Sequence, residues 1–99
     1  MAHVIFVKKV LANGELCQKC IEVSERLEKD GTLNLINYIA IAEEANPDSE
    51  GMQLAKKYKV ERAPFFVVEE ENGEILVFDI YFRFKRHMQK VVAPIAAAG

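Results

Sequence analysis

Two changes of hydrophobic period followed by a hairpin constrain this chain more than any other feature. His3 to Val7, extending to Val10, is β-branched and aromatic and predicts a buried first strand. Leu11-Ala12-Asn13-Gly14 breaks it with a turn signal, and from about Glu15 the spacing becomes helical. Cys17, Cys20, Ile21 and Leu27 recur on one face, Glu22, Glu25, Arg26, Glu28 and Lys29 fill the other, and Gly31 is placed to stop the helix. Leu33 to Ala42 predicts a second strand. Asn46-Pro47 signals a helix start, Asp48 and Glu50 put negative charge in its first turn, and Leu54, Ala55 and Tyr58 give it an inward face ending near Lys59. Phe65 to Val68 and Ile75 to Ile80 predict two more strands, joined through Glu71-Asn72-Gly73-Glu74 as an antiparallel hairpin. Tyr81 to Val92 carries Tyr81, Phe84, Met88, Val91 and Val92 at helical spacing; Pro94 is expected to end it, leaving 94–99 as a frayed tail.

Strand, helix, strand, helix, strand, strand, helix is an α/β order. The first two strands should lie parallel through a right-handed crossover, and the closing hairpin makes the sheet mixed. The chain of 99 residues is enough for one core and not for two, so 1–99 is read as a single domain. Its formal net charge of −2 gives no field to gather nucleic acid or anionic lipid. The basic residues Arg83, Lys85, Arg86 and Lys90 are read as a solvated helix face. No run approaches the ~20 apolar residues of a membrane span. Lys8 and Lys9 cut the first apolar run too short for a secretory signal core, so a cytoplasmic protein is expected.

Cys17 and Cys20, the only two cysteines, sit where the first strand has ended and the first helix begins. A disulfide between them would close too small a ring to constrain the unfolded chain, so the pair is a poor staple. At a helix N-terminus the unpaired N–H groups and the helix dipole favour a thiolate at Cys17, and Lys19 adds positive charge. Cys20, one turn further in, is expected to be buried and less activated. An exposed thiol to attack and a second to resolve is what disulfide exchange requires. The spacing is also half of a structural zinc site, but His3 and His87 stand at opposite ends of the chain, and no metal is expected. There is no Ser-His-Asp constellation, phosphate-cradling glycine loop or well-placed carboxylate pair.

The stretch Lys57-Tyr58-Lys59-Val60-Glu61-Arg62-Ala63-Pro64-Phe65-Phe66-Val67-Val68, with the Asn72-Gly73 hairpin after it, resembles the second half of a thioredoxin-fold protein. With the CxxC pair after strand one, the resemblance covers nearly the whole chain. It implies a three-layer sandwich, a four-stranded mixed sheet flanked by about three helices. It further implies that Pro64 is cis and beside Cys17, and that the backbone of Ala63 pairs with an extended substrate segment.

The chain departs from that family in ways that bear on function. It has no proline or tryptophan beside the cysteines, and its first strand ends in Lys8-Lys9 rather than carrying a buried acid. Phe78-Asp79-Ile80-Tyr81-Phe82 replaces the glycine-rich turn with which glutaredoxins bind glutathione, so no cofactor is carried over. Tyr81 or Phe82 would instead rim the groove. The function expected is thiol–disulfide exchange, with Cys17 attacking, Cys20 resolving and Ala63 and Pro64 binding substrate. The expected partners are an oxidised protein or small disulfide and a reductase or thiol reductant, with no nucleic acid or membrane. The alternatives are a thioredoxin-fold binding module and a carrier holding a persulfide on Cys17.

Overall fold

The strand β1 (His3–Val10) is the central beam of the molecule, with a neighbour on each side. In the computed structural model, which describes the backbone of residues 2–98 and the side chains of 2–89, β2 (Tyr38–Glu43) runs parallel to β1. β3 (Phe65–Glu69) runs antiparallel to β1 on its other side and pairs in turn with β4 (Ile75–Phe78). The sheet order is therefore β2-β1-β3-β4, a four-stranded mixed sheet. Three helices cover it: α1 (Gln18–Lys29), α2 (Glu50–Tyr58) and α3 (Tyr81–Ala98). The three-layer α/β arrangement expected from the sequence is the one observed.

Alternation along the strands sorts the core into two halves. Val4 and Phe6 of β1, with Phe66 and Val68 of β3, meet Val23 and Leu27 of α1 and Phe84 and Met88 of α3. Val7, Ala40, Ala42, Phe65 and Val67 point the other way, beneath Met52, Leu54, Ala55 and Tyr58 of α2. Phe65 to Val68 are all buried, as befits a strand covered on both faces.

Local chemistry sets the boundaries. Gly31, at φ 71°, closes α1: its N–H donates to Glu28 O at 3.2 Å, and Thr32 N–H donates to Leu27 O at 2.9 Å. This Schellman end is the stop the sequence predicts. The inward face of α1 is Cys20, Val23 and Leu27; Ile21, read as inward, is only half-buried. The apolar run expected to form one strand from Leu33 to Ala42 divides into a 3₁₀ turn, Leu33–Leu35, and the shorter β2. Asn37 marks the join, its side chain accepting from Val4 N–H while its own N–H donates to Val4 O.

The start of α2 also differs from the expectation at Asn46-Pro47. Asn46 Oδ1 accepts from Asp48 N–H at 3.0 Å, which makes a turn, and Ser49 becomes the N-cap. The Ser49 hydroxyl accepts from Glu43 N–H at 2.9 Å, tying the helix start to the end of β2. The helix then ends at Lys59, in the left-handed region at φ 55°. β4 stops at Phe78, two residues short of the expectation, because α3 begins at Tyr81. α3 passes through Pro94, expected to end it, and reaches Ala98; proline forfeits one helical hydrogen bond but holds a helical φ. The inward positions assigned to Val91 and Val92 lie outside the described side chains. Among the described residues, no helix is long and apolar enough to cross a membrane.

Candidate active site

The site is built on the last residues of β1. After Val10 the chain turns back on itself: Leu11 N–H donates to Glu15 O at 2.7 Å, Gly14 N–H donates to Leu11 O at 2.8 Å, and Val10 bridges Leu16. Gly14 supplies the positive φ, 88°, that this reversal needs. The excursion delivers Cys17 beside the strand that began it, where Cys17 N–H donates to Lys9 O at 3.1 Å. Cys17 is thus the N-cap of α1, with extended backbone angles, and its Sγ accepts from Cys20 N–H at 3.3 Å. A cysteine sulfur takes the place that a serine or aspartate oxygen commonly fills.

The two cysteines are free thiols with Sγ atoms 3.1 Å apart, within hydrogen-bond reach. Their surroundings differ sharply. Cys17 is half-exposed, whereas Cys20 is fully buried and accepts from Lys9 N–H at 3.2 Å. Burial pushes the Cys20 thiol up to about 11; the Lys9 N–H acts in the opposite direction and the Cys17 side chain reinforces the rise.

An open groove of about 1000 Å³ runs from Cys17 between α1 and α3, and Ala63 and Pro64 line it as well. The Ala63–Pro64 peptide bond is cis. Three of the four residues singled out from the sequence therefore share one groove, and the fourth, Cys20, lies buried against Cys17. Tyr81 and Phe82, read as a possible rim, both line it; Phe82 is 64% exposed and Ile80 47%. His3 and His87 do not come to the cysteines. His3 faces Glu69 across the sheet, and His87 Nε2 pairs with Glu70 Oε1. Among the described residues, no group of three or more His, Cys, Asp and Glu is placed to hold a metal ion.

Sequence reasoning missed the charged walls. Lys19, Glu22 and Arg26 of α1 and Lys85 of α3 line the groove, although all but Lys19 were assigned to solvated helix faces. The available signal was spacing: Lys19, Val23 and Arg26 share a stripe that begins just past Cys17. Beside Arg26 and Lys85, Asp30 Oδ2 accepts from Arg26 Nε at 3.2 Å, Tyr81 OH at 2.9 Å and Lys85 Nζ at 3.1 Å. The Tyr81 hydroxyl and the Lys85 ammonium hold the Asp30 carboxyl below the usual carboxylate range. The Tyr81 oxygen also lies 3.0 Å from Thr32 Oγ1, so a hydrogen-bonded network ties the end of α1 to the start of α3.

No protein-family model matches the chain, and a search of curated proteins finds no match either. What stands in place of a family assignment is a small α/β fold with a four-stranded mixed sheet and two cysteines in contact at a helix start.

Proposed function

We propose that this protein is a thiol–disulfide oxidoreductase of the thioredoxin-fold type, acting on protein disulfides. The observation that carries the reading is the asymmetry of two thiols in contact: Cys17 half-exposed in a groove, Cys20 fully buried behind it. In the reaction the Cys17 thiolate attacks one sulfur of a substrate disulfide, forming a mixed disulfide and expelling the first substrate thiolate. Cys20 then loses its proton and attacks Cys17 Sγ. The second substrate thiolate leaves, so the substrate gains two electrons and Cys17–Cys20 becomes the disulfide. An external thiol or dithiol reductant restores the pair.

By resemblance, the Ala63 backbone receives the substrate segment as an added strand, at the groove that Pro64 also lines. The exposed apolar surface of Ile80 and Phe82 favours a protein segment over a small polar disulfide.

Alkylation of the reduced protein near pH 6 tests the assignment. Cys17 should be modified first, with Cys20 lagging by roughly a hundredfold or more, given its buried, poorly ionised thiol. Equal labelling, or Cys20 first, counts against it. In turnover on insulin disulfides, Cys17→Ser should abolish activity, and Cys20→Ser should accumulate a mixed disulfide; an active Cys17→Ser protein overturns the proposal.

A further inference from the structure

The part of the groove lined by Arg26 and Lys85 holds more hydrogen-bonding capacity than its own partners use. Arg26 and Lys85 converge on a single carboxylate, Asp30. Arg26 commits only Nε there, leaving the rest of its guanidinium donors unspent, and Lys85 commits one of its three. Both line the groove, and the Arg26 side chain is 60% exposed. Arg26 has turned to Asp30, four residues after it, rather than to Glu22, four residues before it.

The mouth of the groove differs. Lys19 and Arg62 line it beside Glu61 and Asp79, and among the described residues no ion pair draws those two cations together. Lys9, the remaining lining cation, is already paired with Glu44 at 3.2 Å. The cations that converge on one point, Arg26 and Lys85, therefore lie away from the cysteines. Arg26 stands nine residues beyond Cys17 along α1, a helical rise of roughly 13 Å. An extended chain covers that span in about four residues.

From this geometry we infer a substrate class: a disulfide-bearing segment with an acidic side chain about four residues from its reacting cysteine, seated on Arg26 and Lys85. The inference rests on the exchange reading above, and it adds a specificity-determining subsite to it. A guanidinium with free donors suits a carboxylate because it can offer two parallel N–H groups. The substrate's acid shares these donors with Asp30, and Glu22, which lines the same wall, is a second carboxylate able to compete with it.

The test uses one peptide sequence with its cysteine carried as a mixed disulfide to a chromogenic thiol. Glu, Gln or Lys is placed at the fourth position on either side, or Glu next to the cysteine. The Glu peptide should react about three- to tenfold faster than the Gln peptide on one side. That ratio should shrink in high salt, fall to about one in Arg26→Gln and rise in Glu22→Gln. Equal rates for Glu and Gln at the fourth position, or an undiminished ratio in Arg26→Gln, overturn the subsite while leaving disulfide exchange standing. Reaction with no peptide sinks the exchange reading instead. The subsite is then decided by titrating the Cys17→Ser/Cys20→Ser protein with the serine form of each peptide. Amide shifts gathered around Arg26 and Lys85 with the Glu peptide alone support it, and their absence overturns it.

Discussion

The two faces of the sheet are packed on opposite principles. On the face under α1 and α3 the contacts are large rings. Phe66 stacks on Phe84 with centroids 4.0 Å apart and on Phe6 at 4.8 Å, and Tyr81 and Phe78 flank the stack. On the face under α2 the floor of β2 is Ala40 and Ala42, and the helix comes down almost to the strand backbone. A Cβ built on Gly51 would stand 2.4 Å from Ala42 N and 2.5 Å from Ile41 C. Bulky side chains hold helices away from a sheet and from each other, and α1 and α3 leave a groove between them. Small ones let a helix settle without a gap. The candidate site lies on the face where the helices stand apart.

Substitutions can break that contrast. The largest effect is expected from Phe84→Ala, which removes a fully buried ring from the stack and should cost about 3–5 kcal/mol. Urea unfolding measures it. A loss under about 1 kcal/mol would mean that the aromatic face is not what holds α3. Gly51→Ala should come second, at about 1–3 kcal/mol, because the atoms it meets are backbone and cannot rotate away. A neutral Gly51→Ala would show that α2 can lift off β2 without penalty, and the contrast between the faces would collapse.

The smallest effect concerns the Asp30 network between the end of α1 and α3. The folded Asp30 carboxyl is held below its ordinary range, so its stabilising contribution is complete above that range and is lost as pH falls through the folded value. Stability of the natural protein should therefore drop more between pH 6 and pH 3 than that of Asp30→Asn, as read from urea midpoints at each pH. Parallel pH curves would remove Asp30 as a tie between α1 and α3.

How much of this was legible in the sequence follows the range of each interaction. The stop at Gly31, the Asn72-Gly73 hairpin and the placement of the cysteines at a strand–helix junction depend on neighbours a few residues apart. Those signals survive in one dimension. The split of Leu33–Ala42 did not, because a 3₁₀ turn and a strand are equally apolar there and only Asn37 bonding to Val4 separates them. The start of α2 misled in another way. Asn46-Pro47 is a sound local signal, yet the buried Ser49 hydroxyl is recruited by Glu43 on the neighbouring strand. Gly51 carries no local signature at all, since its need for a missing side chain comes from Ala42. The charged lining of the groove divides in the same way: the Lys19, Val23 and Arg26 stripe is local, but the wall that α3 contributes is not. Whether Lys85 faces solvent or Asp30 depends on where the stacked rings set α3 relative to α1.

The hold of β1 on the cysteines has a consequence for how this site could change over generations. Lys9 receives Cys17 through its carbonyl and reaches Cys20 Sγ through its amide, while its side chain is engaged elsewhere, with Glu44. Main-chain atoms are common to every residue except the amide of proline. The side chain at position 9 is therefore free to drift without loosening either thiol, and proline is the one replacement that would sever the contact to Cys20. The anchorage of the pair is written in the path of the backbone, and a mutational scan of side chains would pass over it almost without trace.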